Sequence, residues 1–194
     1  MKEILIRSSA AAFCLLLMLM AGVQAQPPRD VPANSVVVRP AASKINLDGV
    51  LDEPAWDLAE TLGRILQREP RPGEPASEGT EVRLLIDSGH LYIGVACFDS
   101  EPEKVVGTQM ARDADLEIDD SVAILLDTFH DRRNAFYFAT NPAGALVDGL
   151  IIENQQSINY DWNAIWNVAV KRHSQGWSAE FAIPFKSLSF DPGR

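Results

Sequence analysis

The stretch Asp119-Asp120-Ser121-Val122-Ala123-Ile124-Leu125-Leu126-Asp127-Thr128-Phe129 carries most of the information about the fold. Residues 122–126 form an apolar run. Successive side chains of an extended chain point to opposite faces, so such a run is apolar on both. A strand of that kind needs cover on both sides, which predicts a central position in a sandwich of two sheets. Asp119 and Asp120 before it and Asp127 after it belong at the rim of the sheet, where water or a cation meets them.

The flanking sequence repeats this theme. After the run, residues 130–134 are polar, and 135–140 read as a strand with Phe136 and Phe138 facing away from Tyr137. Asn141-Pro142-Ala143-Gly144 is turn chemistry, residues 145–152 return, and 154–161 read as a polar loop leading to Trp162. A last hairpin pairs 165–172 with 177–183, Trp166, Val168 and Val170 alternating with polar neighbours on one strand and Trp177, Ala179, Phe181 and Ile183 on the other. Upstream, 80–87 and 90–98 alternate across Ser88-Gly89, a second hairpin. Residues 99–115 read as a long connection with one helical turn near Glu103. Further back, residues 35–39 form a short valine strand. Asp52, Glu53 and Pro54 are N-terminal helix signals that predict a helix running to about Thr61, with Trp56 and Ala59 on one face. Many short strands, a turn every ten residues or so and one short helix define an all-β, jelly-roll-like antiparallel sandwich. Phe190-Asp191-Pro192-Gly193-Arg194 is a turn with no strand after it, so the last strands of the domain are expected to be missing.

Residues 1–25 stand apart. Lys2 and Arg7 precede an apolar run over 10–20, and Val23-Gln24-Ala25 supplies the small residues of a cleavage site, the pattern of a secretory signal peptide rather than a membrane span. Phe13 before Cys14 does not suit a lipid anchor. Residues 26–34, rich in proline and polar groups, read as a linker, leaving 35–194 as the folded domain. Export to the periplasm, cell surface or medium follows as an expectation. The net charge of −10, with no basic stripe, excludes nucleic acid as a partner. Cys97 is the one cysteine outside the leader, so it forms no internal disulfide and reads as an inert thiol within a strand.

Four landmarks in order resemble the family 9 carbohydrate-binding modules: Ile45-Asn46-Leu47-Asp48-Gly49-Val50-Leu51-Asp52-Glu53-Pro54-Ala55-Trp56; His90-Leu91-Tyr92-Ile93-Gly94-Val95; Asp119-Asp120-Ser121-Val122; and Gly176-Trp177-Ser178-Ala179-Glu180-Phe181-Ala182-Ile183-Pro184. The resemblance implies a β-sandwich that binds poly- or oligosaccharide without catalysis, often joined to glycoside hydrolases that degrade plant polysaccharide. Gln67-Arg68-Glu69-Pro70, residues 127–133 and Asn141-Pro142-Ala143-Gly144 are similar to a subgroup in which the module precedes an uncharacterised region like an outer-membrane β-barrel. That subgroup leaves open an interaction domain serving such a barrel, with a degenerate sugar site. Two features depart from the family. Its sugar-clamping tryptophan before Asp-Asp-Ser is absent from Asp115-Leu116-Glu117-Ile118, and the Glu it carries after Asp-Asp-Ser-Val is Ala123 here.

Sugar recognition needs a flat aromatic face for the apolar side of a pyranose, with charged or amide groups for its hydroxyls. Asp161-Trp162 at a loop-to-strand junction offers both, Trp162 being the ligand platform and Trp166 a core residue. Arg83 and Arg112 are candidate hydroxyl partners, and the resemblance adds Asp99. Asp113, Asp115, Glu117 and Asp119 recur at every second position, so on an extended chain all four carboxylates point one way. Crowded like charges invite Ca²⁺, and the family is known to bind it. Catalysis is not expected. A glycosidase holds two carboxyl groups about 5–9 Å apart across a cleft. Of the available carboxylates Asp127, Asp148, Glu153 and Glu180, the last reads as a surface charge, and no nucleophile or metalloprotease motif occurs.

Overall fold

The computed structural model describes residues 36–63, 65–152 and 157–190. The leader over 1–25 and the linker over 26–34 lie outside these residues. Among the described residues, nine strands form two sheets, one of five strands in the order β1-β2-β3-β9-β8 and one of four in the order β4-β5-β6-β7. The strands of the larger sheet are β1 (Arg39–Pro40), β2 (Thr80–Ile86), β3 (His90–Phe98), β8 (Asn167–His173) and β9 (Gly176–Pro184). Those of the smaller are β4 (Val122–Leu126), β5 (Ala135–Thr140), β6 (Val147–Ile152) and β7 (Ser157–Asn159). All pairings are antiparallel except the short parallel contact of β1 with β2. This is the all-β sandwich that the alternation predicts.

Both long hairpins form where the pattern places them. The inward side chains Ile93, Val95, Ala179, Phe181 and Ile183 of the larger sheet meet Phe136 and Phe138 of the smaller. Trp166 lies parallel to Phe181 at 5.8 Å and edge-on to Phe138 at 5.2 Å, as expected of a core residue. The predicted turn near Glu103 is a 3₁₀ turn over Pro102–Lys104.

The strand buried on both faces is β9, not β4. All nine residues of β9 are buried. β4 sits at the edge of its sheet, with Val122, Ile124 and Leu126 packed inward while Ala123 faces solvent and Leu125 is 47% exposed. Ala123 is too small to require cover, so the apolar run overstates how much of β4 is buried.

What covers the second face of β9 is a wrap of the chain N-terminal to β2. Ile45, Ala55 and Trp56 pack on Leu85 with Leu51, Ala59 and Tyr92 around them, a second core on the outer face of the larger sheet. The wrap approaches closely enough that a Cβ on Gly94 would stand 2.7 Å from Leu51 Cδ2 and 3.1 Å from the Trp56 ring. Glu180 is therefore fully buried and not a surface charge. Its Oε2 accepts the backbone N–H groups of Asp48 (3.0 Å) and Gly49 (2.8 Å), and its Oε1 accepts Trp56 Nε1–H (3.0 Å). The helix within the wrap, α1 (Pro54–Asp57), is shorter than predicted, and Glu53 rather than Asp52 occupies its N-cap. It stops because the following residues leave to pair with β2: Thr61 bridges Arg83, and Leu62 N–H donates to Val82 O at 2.7 Å.

Two further departures are smaller. The valine strand expected over 35–39 is a strand only at Arg39–Pro40. Part of the polar loop expected over 154–161 is strand β7, whose Ile158 lies opposite Ile151 of β6. Cys97 is partly buried, and burial together with the Asp120 charge pushes its thiol up to about 12, so the group stays protonated.

Candidate functional site

Phe136 and Phe138 enter the core, so the alternation of β5 turns Tyr137 to the outer face of the smaller sheet. Opposite Tyr137 on β6 stands Gly149. β7 passes so near that a Cβ on Gly149 would come within 2.6 Å of Ile158 Cγ2 and 3.0 Å of Asn159 O. The turn after β7 then brings Tyr160 edge-on to Tyr137, with ring centroids 6.4 Å apart and planes at 89°. Tyr160 is 48% exposed. Burial raises the Tyr137 pKa, with a further contribution from Tyr160. Gly149→Ala is expected to push β7 outward and separate the two rings. Loss of the Tyr137–Tyr160 cross-peak between their ring protons in NMR would report it, and an unchanged contact would contradict it.

The opposite wall comes from the connection between the 3₁₀ turn and β4. Together with Tyr137, Tyr160, Ser121 and Val147, residues 113–117 enclose a cleft of about 510 Å³. A buried carboxylate is the main anchor of this polar loop. Asp119 accepts Thr108 N–H (3.0 Å), Thr108 Oγ1–H (2.8 Å), Gln109 N–H (2.9 Å) and Asn141 Nδ2–H (2.6 Å). Burial raises its pKa, but the hydrogen bonds from Gln109, Thr108 and Asn141 outweigh that and hold it at about 2. Asn141 is itself fully buried, and its Oδ1 accepts Ala143 N–H and Ala145 N–H, so the loop and the β5–β6 turn are tied at one point. Asp120 adds a second tie, exchanging two bonds with the Val106 backbone.

A second buried carboxylate supports the other end. Asp148 accepts Ala164 N–H (2.6 Å), Trp166 Nε1–H (3.1 Å) and the Arg112 guanidinium. Arg112 also donates to Asn163 Oδ1 at 3.0 Å and pairs with Asp113 at 3.6 Å.

The residues singled out from sequence are thus dispersed. Trp162 packs on Phe136 and Phe138, with centroids 5.2 and 6.1 Å away, and is half-buried as a cover over the core. Arg112 is a tie between Asp148, Asp113 and Asn163. Asp161 follows Tyr160 at the exposed end of β7. Arg83 lies on the outer face of the other sheet, opposite Gly94 and paired with Glu81 at 2.9 Å. Asp99 follows β3, accepting Glu101 N–H while its own N–H donates to Gln175 O. None of the five lines the cleft. The premise that Asp113, Asp115, Glu117 and Asp119 point one way fails, because 113–119 is a series of turns with Asp113 at φ 56°. Asp113, Asp115 and Glu117 line the cleft, whereas Asp119 is turned behind it onto Thr108, Gln109 and Asn141. Among the described residues no three His, Cys, Asp or Glu side chains converge as a metal would require. Tyr137, Tyr160 and Ser121 were not among the candidates. The signal for Tyr137 was its phase, a tyrosine between two inward phenylalanines.

Two sheets packed face to face define the fold class, a β-sandwich. Among solved structures, this fold is that of the family 9 carbohydrate-binding modules. One from Caldicellulosiruptor kristjanssonii in complex with cellotriose matches with a TM-score of 0.53 and 18% identity, covering 76% of this chain and 66% of that one. A family 9 module from the same organism in complex with glucose matches with a TM-score of 0.53 and 19% identity, covering 80% of this chain and 70% of that one. The chain thus spans about two thirds of the length of these neighbours. At this identity the likeness is one of fold. No family model and no curated protein sequence matches.

Proposed function

We propose that this chain is a non-catalytic carbohydrate-binding module whose ligand enters the cleft between Tyr137, Tyr160 and the 113–117 loop. The observation that carries the reading is the composition of that cleft. The two tyrosine rings, at a right angle to each other, offer aromatic surface to the apolar side of a pyranose, and Asp113, Asp115, Glu117 and Ser121 can take its hydroxyls. The complexes of the two structural neighbours with cellotriose and glucose support a neutral sugar as the first ligand to try. Within this reading Asp161 adjoins the cleft beside Tyr160, while Trp162 and Arg112 support it from behind. We place the module in an exported setting, as its leader-like N-terminus suggests, and in polysaccharide breakdown, as its resemblance to family 9 modules suggests.

Calorimetric titration with cello- and xylo-oligosaccharides tests this directly. Tyr160→Ala and Tyr137→Ala are each expected to weaken binding at least tenfold, since aromatic anchors concentrate binding energy. Full-strength binding by both variants moves the site elsewhere, and no binding by the unaltered chain rejects the reading.

A further inference from the structure

We infer that the cleft sorts sugars by charge and that its preferred ligands are amino sugars, polymers or oligomers of a protonated 2-amino-2-deoxy hexose. The inference rests on the carbohydrate reading above and names the substrate class of the same site.

Among the described residues, three carboxylates line the cleft, and no Lys, Arg or His does. They differ in what already neutralises them. Asp113 pairs with Arg112 at 3.6 Å and accepts Asp148 N–H. Asp115 accepts only Glu117 N–H, at 2.9 Å, and Glu117 has neither an ion pair nor a side-chain hydrogen bond among the described residues. Arg112, the cation paired with Asp113, is not free to swing in. Arg112 is held by the fully buried Asp148 and by Asn163, and moving it would leave the Asp148 charge buried without a cationic partner. Asp115 and Glu117 therefore face a bound ring as two uncompensated negative charges beside the tyrosine pair.

A neutral pyranose meets them through hydroxyl donors alone. A ring bearing an ammonium group adds charge-assisted hydrogen bonds and can stack the same way on the tyrosines. A uronic acid places a third like charge in the same space, which costs affinity, and the chain's overall charge of −10 adds to that repulsion. Charge, not ring shape, is what this lining discriminates.

The test is calorimetry with three tetrasaccharides of equal length, of glucosamine, glucose and galacturonic acid. The pH is set where the amine is protonated and the carboxylates ionised. The glucosamine oligomer is expected to bind about tenfold tighter than the glucose oligomer, with the uronate weakest, as two exposed charge pairs allow. The ratio should fall as salt rises. Asp115→Asn combined with Glu117→Gln is expected to bring it toward one. Asp52→Asn with Asp57→Asn removes the same number of charges from the wrap on the outer face of the larger sheet and should leave it unchanged. Equal or tighter binding of the glucose oligomer overturns the inference while leaving the carbohydrate reading in place. A preference that survives the Asp115/Glu117 change overturns its assignment to this cleft. Absence of binding by all three oligomers rejects both.

Discussion

Replacing Glu180 by alanine is expected to destabilise the fold by about 3–4 kcal/mol, because three donors lose their acceptor inside the protein. The side chain is fully buried, and its two oxygens take the N–H groups of Asp48, Gly49 and Trp56. Those bonds, with Ser178 Oγ–H to Gly49 O at 2.6 Å, fasten the wrap over 45–59 to the outer face of β9. The wrap has no other position to adopt. Gly49 has φ 86°, and a Cβ there would lie 2.5 Å from the Val170 carbonyl carbon, so its backbone already touches β8. For a domain of this size the loss corresponds to about 10 °C in melting temperature. Thermal unfolding followed by circular dichroism measures it, and a shift within a degree or two would mean that the wrap is held by its apolar contacts alone.

The pH dependence gives this prediction a sign. Burial raises the Glu180 pKa, Glu53 pushes the same way, and the donors from Gly49, Asp48 and Trp56 only partly offset them. A carboxyl with a raised folded pKa favours its neutral form in the fold. Stability is then greatest below its unfolded value of 4.5 and declines as pH rises through the folded value. The gap between the parent and Glu180→Ala should accordingly widen on acidification.

Glu180 also shows where the sequence was legible and where it was not. Period-two alternation located both hairpins and the β5 strand, because one face of each is apolar enough to reveal the core. It assigned Glu180 to solvent by the same rule, since a buried glutamate and an exposed one occupy the same phase of a strand. What reverses the assignment is a segment about 130 residues away in the chain, and local patterning carries no information on that. The same limit produced the exchange of β4 for β9: five apolar residues in a row looked central, while a strand broken by Ser178 and Glu180 looked amphipathic. In the cleft, the acidic positions 113, 115 and 117 were legible as a group because their spacing is regular. The extended geometry attributed to them was wrong because turns, not strands, connect them. Arg112 and Trp162 carry the chemistry of a binding site in composition, yet Asp148 and the phenylalanines of β5 engage them first.

Asp119→Ala should loosen the loop that forms one wall of the cleft and weaken the proposed sugar binding while the two sheets persist. Asp119 is the point at which Thr108, Gln109 and Asn141 converge, and Asn141 passes the constraint on to the β5–β6 turn through Ala143 and Ala145. Without the carboxylate the N–H groups of Thr108 and Gln109 lose their acceptor, and residues 113–117 stay tied, among the described residues, only through Asp113, to Leu146 O, Asp148 N–H and Arg112, and through Asp120 to Val106. The core lies elsewhere, among β3, β5, β9 and Trp166, so far-ultraviolet dichroism should be retained while the melting temperature drops by several degrees. Acid separates this site from Glu180. Burial raises the Asp119 pKa, but the bonds from Gln109, Thr108 and Asn141 bring it down to about 2 against an ordinary value of 3.8. A depressed carboxylate contributes stability that is complete above its unfolded value and disappears as pH falls through the folded one. The difference between parent and Asp119→Ala should therefore hold at neutral pH and close between about pH 4 and pH 2, the reverse of the trend for Glu180→Ala. Two buried carboxylates, one raised by burial and one lowered by its donors, must give slopes of opposite sign. If both differences moved the same way with pH, the hydrogen bonds assigned to Asp119 would not be what holds the cleft together.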